Sequence, residues 1–69
     1  MKYPTLGDRL RSARRERGMN QTKLSIRAGL SRPTVASFES NRRTPNLTTF
    51  IALAKALNCS LDWLAGLED

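Results

Sequence analysis

Histidine is absent from this 69-residue chain, and cysteine occurs once. Missing with histidine are the commonest general base near neutral pH and the usual zinc-ligand sets. A lone thiol forms no internal disulfide, and it fits a reducing compartment. No apolar run is long enough to span a bilayer, and Met1-Lys2-Tyr3-Pro4-Thr5 has no hydrophobic stretch of the secretory kind. A soluble intracellular setting is therefore expected. Internal repeats, low-complexity tracts and linkers are missing too, so residues 1–69 are read as one domain. That length is near the lower limit for folding without a staple. Its core has to come from helix packing, for which 39% hydrophobic residues suffice.

Acidic residues are scarce: six stand against twelve Lys and Arg, leaving a net charge of +6 and a pI near 10.8. The imbalance is local. Residues 1–43 hold eleven of the bases and three of the acids, whereas residues 44–69 hold Lys55 against Asp62, Glu68 and Asp69. A basic pI with clustered arginine is the electrostatic footprint of a nucleic-acid partner, because each neutralised phosphate releases condensed counterions. A merely solvated basic face would show the same composition.

Helical periodicity and turn signals divide the chain into five short segments. The first runs from about Thr5 to Arg17. Thr5 is placed to cap it, Asp8 sits at the capping-box position, and Leu6, Leu10 and Ala13 form one stripe. Arg9, Arg11, Arg15 and Arg17 should project elsewhere, and Gly18 should end the helix. The second spans about Gln21 to Ala28 behind Asn20, with Leu24 and Ala28 inward. Gly29 breaks it and Leu30 plugs the turn. The third, Arg32 to Glu39, opens behind Ser31 with Pro33 in its first turn, where a missing N–H costs nothing. Val35 and Phe38 face inward, leaving Arg32, Pro33, Ala36 and Ser37 outside. After a polar loop, a fourth helix from about Leu47 to Leu57 presents Leu47, Phe50, Ile51, Ala54 and Leu57. A shorter fifth, about Ser60 to Leu67, carries Leu61, Trp63 and Leu64 behind a Ser60 cap. No segment alternates with a period of two. The predicted class is all-α, a compact five-helix domain.

The informative stretch is Gln21 to Glu39. Two short helices meet at Ala28-Gly29-Leu30-Ser31, with glycine where positive φ is needed, and the second begins with a polar, arginine-bearing turn. This is the helix-turn-helix arrangement, in which the second helix enters the major groove. Small Ala28 and Gly29 allow close crossing, and Leu30 and Val35 lock the angle.

Asn20-Gln21-Thr22-Lys23-Leu24, Ala28-Gly29-Leu30-Ser31, Phe38-Glu39 and Pro45 occur at the spacing of the lambdoid phage repressor and Cro family, which the chain resembles from about Leu6 to Leu67. Leu53-Ala54-Lys55-Ala56-Leu57 and Leu61-Asp62-Trp63-Leu64 look like the family's fourth and fifth helices. The resemblance implies a DNA-binding transcription regulator, a repressor more than an activator, acting as a homodimer on a pseudo-palindromic operator in the cytoplasm of a bacterial cell. Carried over by position, Gln21, Arg32, Pro33 and Ser37 are the expected base contacts. Arg11, Gln21, Asn41, Arg42 and Arg43 are the expected phosphate contacts, Asn41 through its amide. Pro33 departs from the residues common at its place and is read as an apolar contact to a thymine methyl; helix initiation alone explains it equally well. Arg14 and Glu39 match a structural ion pair. Leu61, Trp63 and Ala65 match the dimer face. Ile26 is an apolar residue where the family is polar, and Cys59 is read as core packing.

Other classes fit less well. No Ser–base pairing, glycine-rich phosphate loop or metal cluster accompanies the carboxylates, so no enzyme, cofactor, metal or small-molecule substrate is expected. An antitoxin-like module would be expected to carry a flexible tail beyond Leu67. RNA or membrane-surface binding by the basic first segment would leave the turn and the following helix without a purpose.

Overall fold

The computed structural model describes residues 3–68, so readings that touch Met1, Lys2 or Asp69 lie outside the described residues. Five helices make up the described chain: α1 (Leu6–Glu16), α2 (Gln21–Ala28), α3 (Arg32–Glu39), α4 (Leu47–Leu57) and α5 (Leu61–Ala65). The all-α class read from periodicity is what the chain adopts. The fifth helix is shorter than expected, because Gly66 takes a left-handed conformation and ends it.

Each helix starts on a side-chain cap that satisfies an otherwise orphaned N–H. Thr5 Oγ1 accepts from the amide of Asp8 at 3.0 Å, Asn20 Oδ1 from Lys23 at 2.8 Å, and Ser60 Oγ from Trp63 at 3.0 Å. Ser31 Oγ accepts from Thr34 at 3.3 Å. The α4 cap, Asn46, was not singled out from sequence; its Oδ1 accepts from Thr49 at 2.8 Å. Asp8 does not close a capping box and instead pairs with Arg11 at 2.8 Å.

The helix ends also share one device. A left-handed residue follows each of them: Gly18, Gly29, Asn41, Asn58 and Gly66. In every case the next amide reaches back to a carbonyl five residues earlier, as in Met19 N to Arg14 O at 3.1 Å and Arg42 N to Ser37 O at 3.0 Å. This is the Schellman arrangement, and it directs the chain sharply away from each helix axis.

The core is built from Leu10, Ala13, Leu24, Val35, Phe38, Leu53, Ala54, Leu57 and Leu64, with Met19 closing one side. Each large side chain removed from water contributes roughly 1.5–3 kcal/mol before entropy is counted. Through this core α2 packs on α3 and α4, α1 on α3, and α5 on α1 and α4.

Three readings need correction. Leu47 is 71% exposed, and Ile51 is only half-buried and lies outside the core. The buried stripe of α4 is instead Leu53, Ala54 and Leu57, with Phe50 partly covered. Arg9 does not project outward. Its buried guanidinium donates from Nε to the Leu64 carbonyl and from Nη1 to the Tyr3 carbonyl, both at 2.8 Å. Arg17 is exposed as expected, and its Nε donates to the Leu57 carbonyl, tying the end of α1 to the end of α4.

Candidate nucleic-acid interface

Gly29 sets the geometry of the site. Its φ of +71° turns the chain between α2 and α3, and open space surrounds its missing Cβ. Conformation, not crowding, demands glycine here. Leu30 N then donates to Ser25 O at 2.8 Å, and Ser31 caps α3 at once. Pro33 lies in the first turn of α3, where no backbone donor is lost. Val35 and Phe38 bury one face of α3, and Arg32 and Pro33 stand exposed at its N-terminal end.

The remaining sequence-derived residues are less uniform. Ala36 and Ser37, read as outward, are half-buried. The Ser37 carbonyl accepts from the amides of Arg42 and Arg43 at 3.0 and 3.3 Å. Gln21 is half-buried, and its Nε2 donates to Glu39 Oε1 at 3.2 Å, so its amide is fixed from below. Arg11 shares its charge with Asp8. Arg42 and Arg43 are exposed on the loop after α3, with the Arg43 guanidinium carbon 5.8 Å from the centre of the Phe38 ring.

Beneath this surface, Arg14 Nε donates to Glu39 Oε2 at 2.6 Å and Nη2 to Glu39 Oε1 at 2.9 Å. Both side chains are buried. Arg14 Nη1 also donates to the Met19 carbonyl at 2.9 Å. The hydrogen bond from Arg14 to Glu39 holds the guanidinium above its ordinary pKa, against the opposing effect of burial.

Asn41 is exposed, and its side chain is tied to the start of α1. Its side-chain Oδ1 accepts the Gly7 amide at 3.0 Å, and its Nδ2 donates to Thr5 Oγ1 at 3.2 Å. The amide expected to face phosphate is engaged with the start of α1.

On α5, Leu61 and Ala65 are exposed and Trp63 is half-buried, its ring edge-on to Tyr3 with centroids 6.2 Å apart. Cys59 packs partly buried against the core, as its sequence context suggested. Ile26 is exposed. Among the described residues no helix is long and apolar enough to cross a membrane.

A helix-turn-helix family model matches residues 10–64. The immunity repressor of Bacillus phage phi105 is 38% identical over 93% of this chain and 44% of its own length. The solution structure of the DNA-binding domain of the P22 c2 repressor superposes with a TM-score of 0.87 at 32% identity, covering 94% of this chain and 86% of that domain. The crystal structure of the P22 c2 repressor with a synthetic operator gives the same TM-score at 31% identity, covering 93% of this chain and 97% of the other. The chain spans less than half the length of the phi105 repressor and 30% of the full Salmonella phage P22 repressor. With the fold, the turn and most of its length shared, this chain belongs to the helix-turn-helix family, and within it resembles the phage repressors.

Proposed function

We propose that this chain binds double-stranded DNA sequence-specifically, as the reading head of a transcription regulator that acts as a repressor. The observation that carries this reading is the exposed N-terminal turn of α3, with Arg32 and Pro33 presented by the left-handed Gly29 turn on a helix whose other residues are buried or half-buried. The net charge of +6 supplies the attraction to phosphate. The likeness to a repressor solved with its operator supports the same reading.

In this mechanism α3 enters the major groove N-terminus first. Arg32 donates in a fork to guanine O6 and N7, a contact that discriminates by about 1–3 kcal/mol. Pro33 covers a thymine methyl. Ser37 acts through water, since its short side chain is half-buried. Gln21 contacts phosphate and approaches a base edge, its amide held by Glu39. Arg11, Arg42 and Arg43 place the protein on the backbone without reading sequence, and the second Nδ2 hydrogen of Asn41 adds to that set.

A single head buries too little surface for tight specific binding. Two copies therefore act together on a pseudo-palindromic operator, with heads roughly 34 Å apart. Leu61, Trp63 and Ala65 form their contact, and so small a patch pairs mainly on DNA. Catalysis has no part in this function.

Fluorescence anisotropy with labelled duplex, competed by duplex DNA, RNA or anionic vesicles, tests the reading. Displacement by duplex alone at physiological salt supports it. Equal displacement by RNA or by vesicles would overturn it in favour of a non-specific basic surface.

A further inference from the structure

Asn41 holds two structural positions at once. It is the left-handed residue after α3, at φ +63°, so it sets where the chain leaves that helix. The amides of Asn41 and Arg42 close that helix end onto the Phe38 and Ser37 carbonyls at 3.1 and 3.0 Å. Its side chain meanwhile lies on the first turn of α1, accepting from Gly7 N and donating to Thr5 Oγ1. Gly7 permits this approach. A Cβ there would collide with the Glu39 carbonyl and lie 2.8 Å from Asn41 Nδ2. The next two residues are Arg42 and Arg43, and both of their amides are fixed on Ser37. The loop bearing the two charges therefore hangs from a residue anchored at both ends.

We propose that Asn41 is a positioning residue, which bolts the loop after α3 to the N-terminus of α1 and thereby fixes the arginine pair, Arg42 and Arg43, for phosphate. This rests on the DNA-binding reading above. Its physical content is entropic. Without the bolt the loop is held at its α3 end alone and presents the two charges over a wider range of directions, which binding must then narrow. Asparagine suits the place because it tolerates left-handed backbone and supplies both an acceptor and a donor. Glycine at this position keeps the backbone and loses the bolt.

The test uses that difference. Asn41→Gly leaves the α3 end intact, and thermal unfolding reports any general loss of stability. Duplex binding is measured across a salt series for the wild type, Asn41→Gly, Arg43→Gln and the double variant. Asn41 is uncharged, so losing a phosphate contact of its own leaves the salt slope unchanged. Misplaced arginines lower it, by about 0.9 for each charge no longer seated. The expected result is roughly threefold to tenfold weaker binding in Asn41→Gly, with a reduced slope. Arg43→Gln should then cost less in the Asn41→Gly background than in the wild type. An unchanged slope, or strictly additive losses, would overturn the positioning role while leaving DNA binding in place. A wild-type chain with no salt-dependent duplex binding would remove both. Amide exchange of Gly7 gives a readout without DNA: it should quicken in Asn41→Gly, and equal protection in the two proteins also overturns the proposal.

Discussion

Arg14 and Glu39 meet across the boundary of α1 and α3 through two parallel hydrogen bonds, 2.6 and 2.9 Å long, in a site that excludes water from both side chains. Gln21 adds a third bond to the same carboxylate. The pair fixes how α3 sits on α1, and α3 is the proposed reading helix. Cutting one partner leaves a buried charge without compensation, which typically costs about 3–5 kcal/mol. Arg14→Met should lower the denaturant midpoint accordingly, and weaken DNA binding only indirectly, through lost stability and a looser seat for α3. Arg14→Met with Glu39→Leu should recover much of that loss, because two apolar groups replace two charges. Urea unfolding of the three variants checks this; an unchanged midpoint in Arg14→Met would remove the structural role.

Arg32 is expected to act on sequence preference. Arg32→Ala should cost about 1–3 kcal/mol on the preferred duplex and much less on unrelated duplexes. Anisotropy on both kinds of DNA measures it. An equal loss on both would make Arg32 a phosphate contact instead.

Leu61 is exposed on α5 and is proposed to face a second copy. Leu61→Asp should lower thermal stability modestly, because Leu61 is 42% exposed and partly covered in the single chain. Binding to a full two-site duplex should weaken at least tenfold, to the level of an isolated half-site, which corresponds to about 1.4 kcal/mol or more of lost pairing. Sedimentation of the free wild-type chain should find monomers at micromolar concentration. A tight dimer at nanomolar concentration would contradict the small interface.

Gly29→Ala should destabilise by about 1–2 kcal/mol through backbone strain alone, since a Cβ there meets nothing within 4 Å. Gly29→Asn should cost less, because asparagine enters this region more readily. Matching losses from alanine and asparagine would point to crowding in place of conformation.

Burial pushes the Cys59 thiol up, and the Arg17 charge only partly offsets this. The folded state therefore favours the protonated thiol. Its contribution to stability is complete below the unfolded thiol's value, ~8.5, and is lost as pH rises through that value toward the higher folded one. Alkylation by iodoacetamide near pH 8 should be slower in the folded protein than after denaturation. Equal rates would show that the thiol is not shielded.

The helices and most of their caps were legible because short polar residues stand directly before apolar stripes, as Asn20 does before Leu24 and Ser31 before Val35. The fourth helix shows the limit. Two stripes share Phe50, Ala54 and Leu57, and sequence gives no reason to prefer Leu53 over Leu47 as the further member. Only the packing of α4 in the fold decides: it buries Leu53 completely and leaves Leu47 71% exposed. Arg9 was misread for a related reason: its partners, Leu64 and Tyr3, are distant or outside regular structure. The exposure of Arg32 and Pro33 at the start of α3 was legible from the glycine turn and the Ser31 cap; Gln21 entered only through the family resemblance, and base contact by all three is part of the proposal. The tie that Asn41 makes was not legible, because its bonds to Gly7 and Thr5 span more than thirty residues.

The most direct measurement is selection of bound duplexes from a random library, run with the wild type and with Arg32→Ala at two salt concentrations. The account predicts one enriched site with two inverted halves about a helical turn apart, containing a guanine whose enrichment disappears in Arg32→Ala. Binding that tightens at low salt yet enriches no sequence would contradict it, because α3 would then not be reading bases.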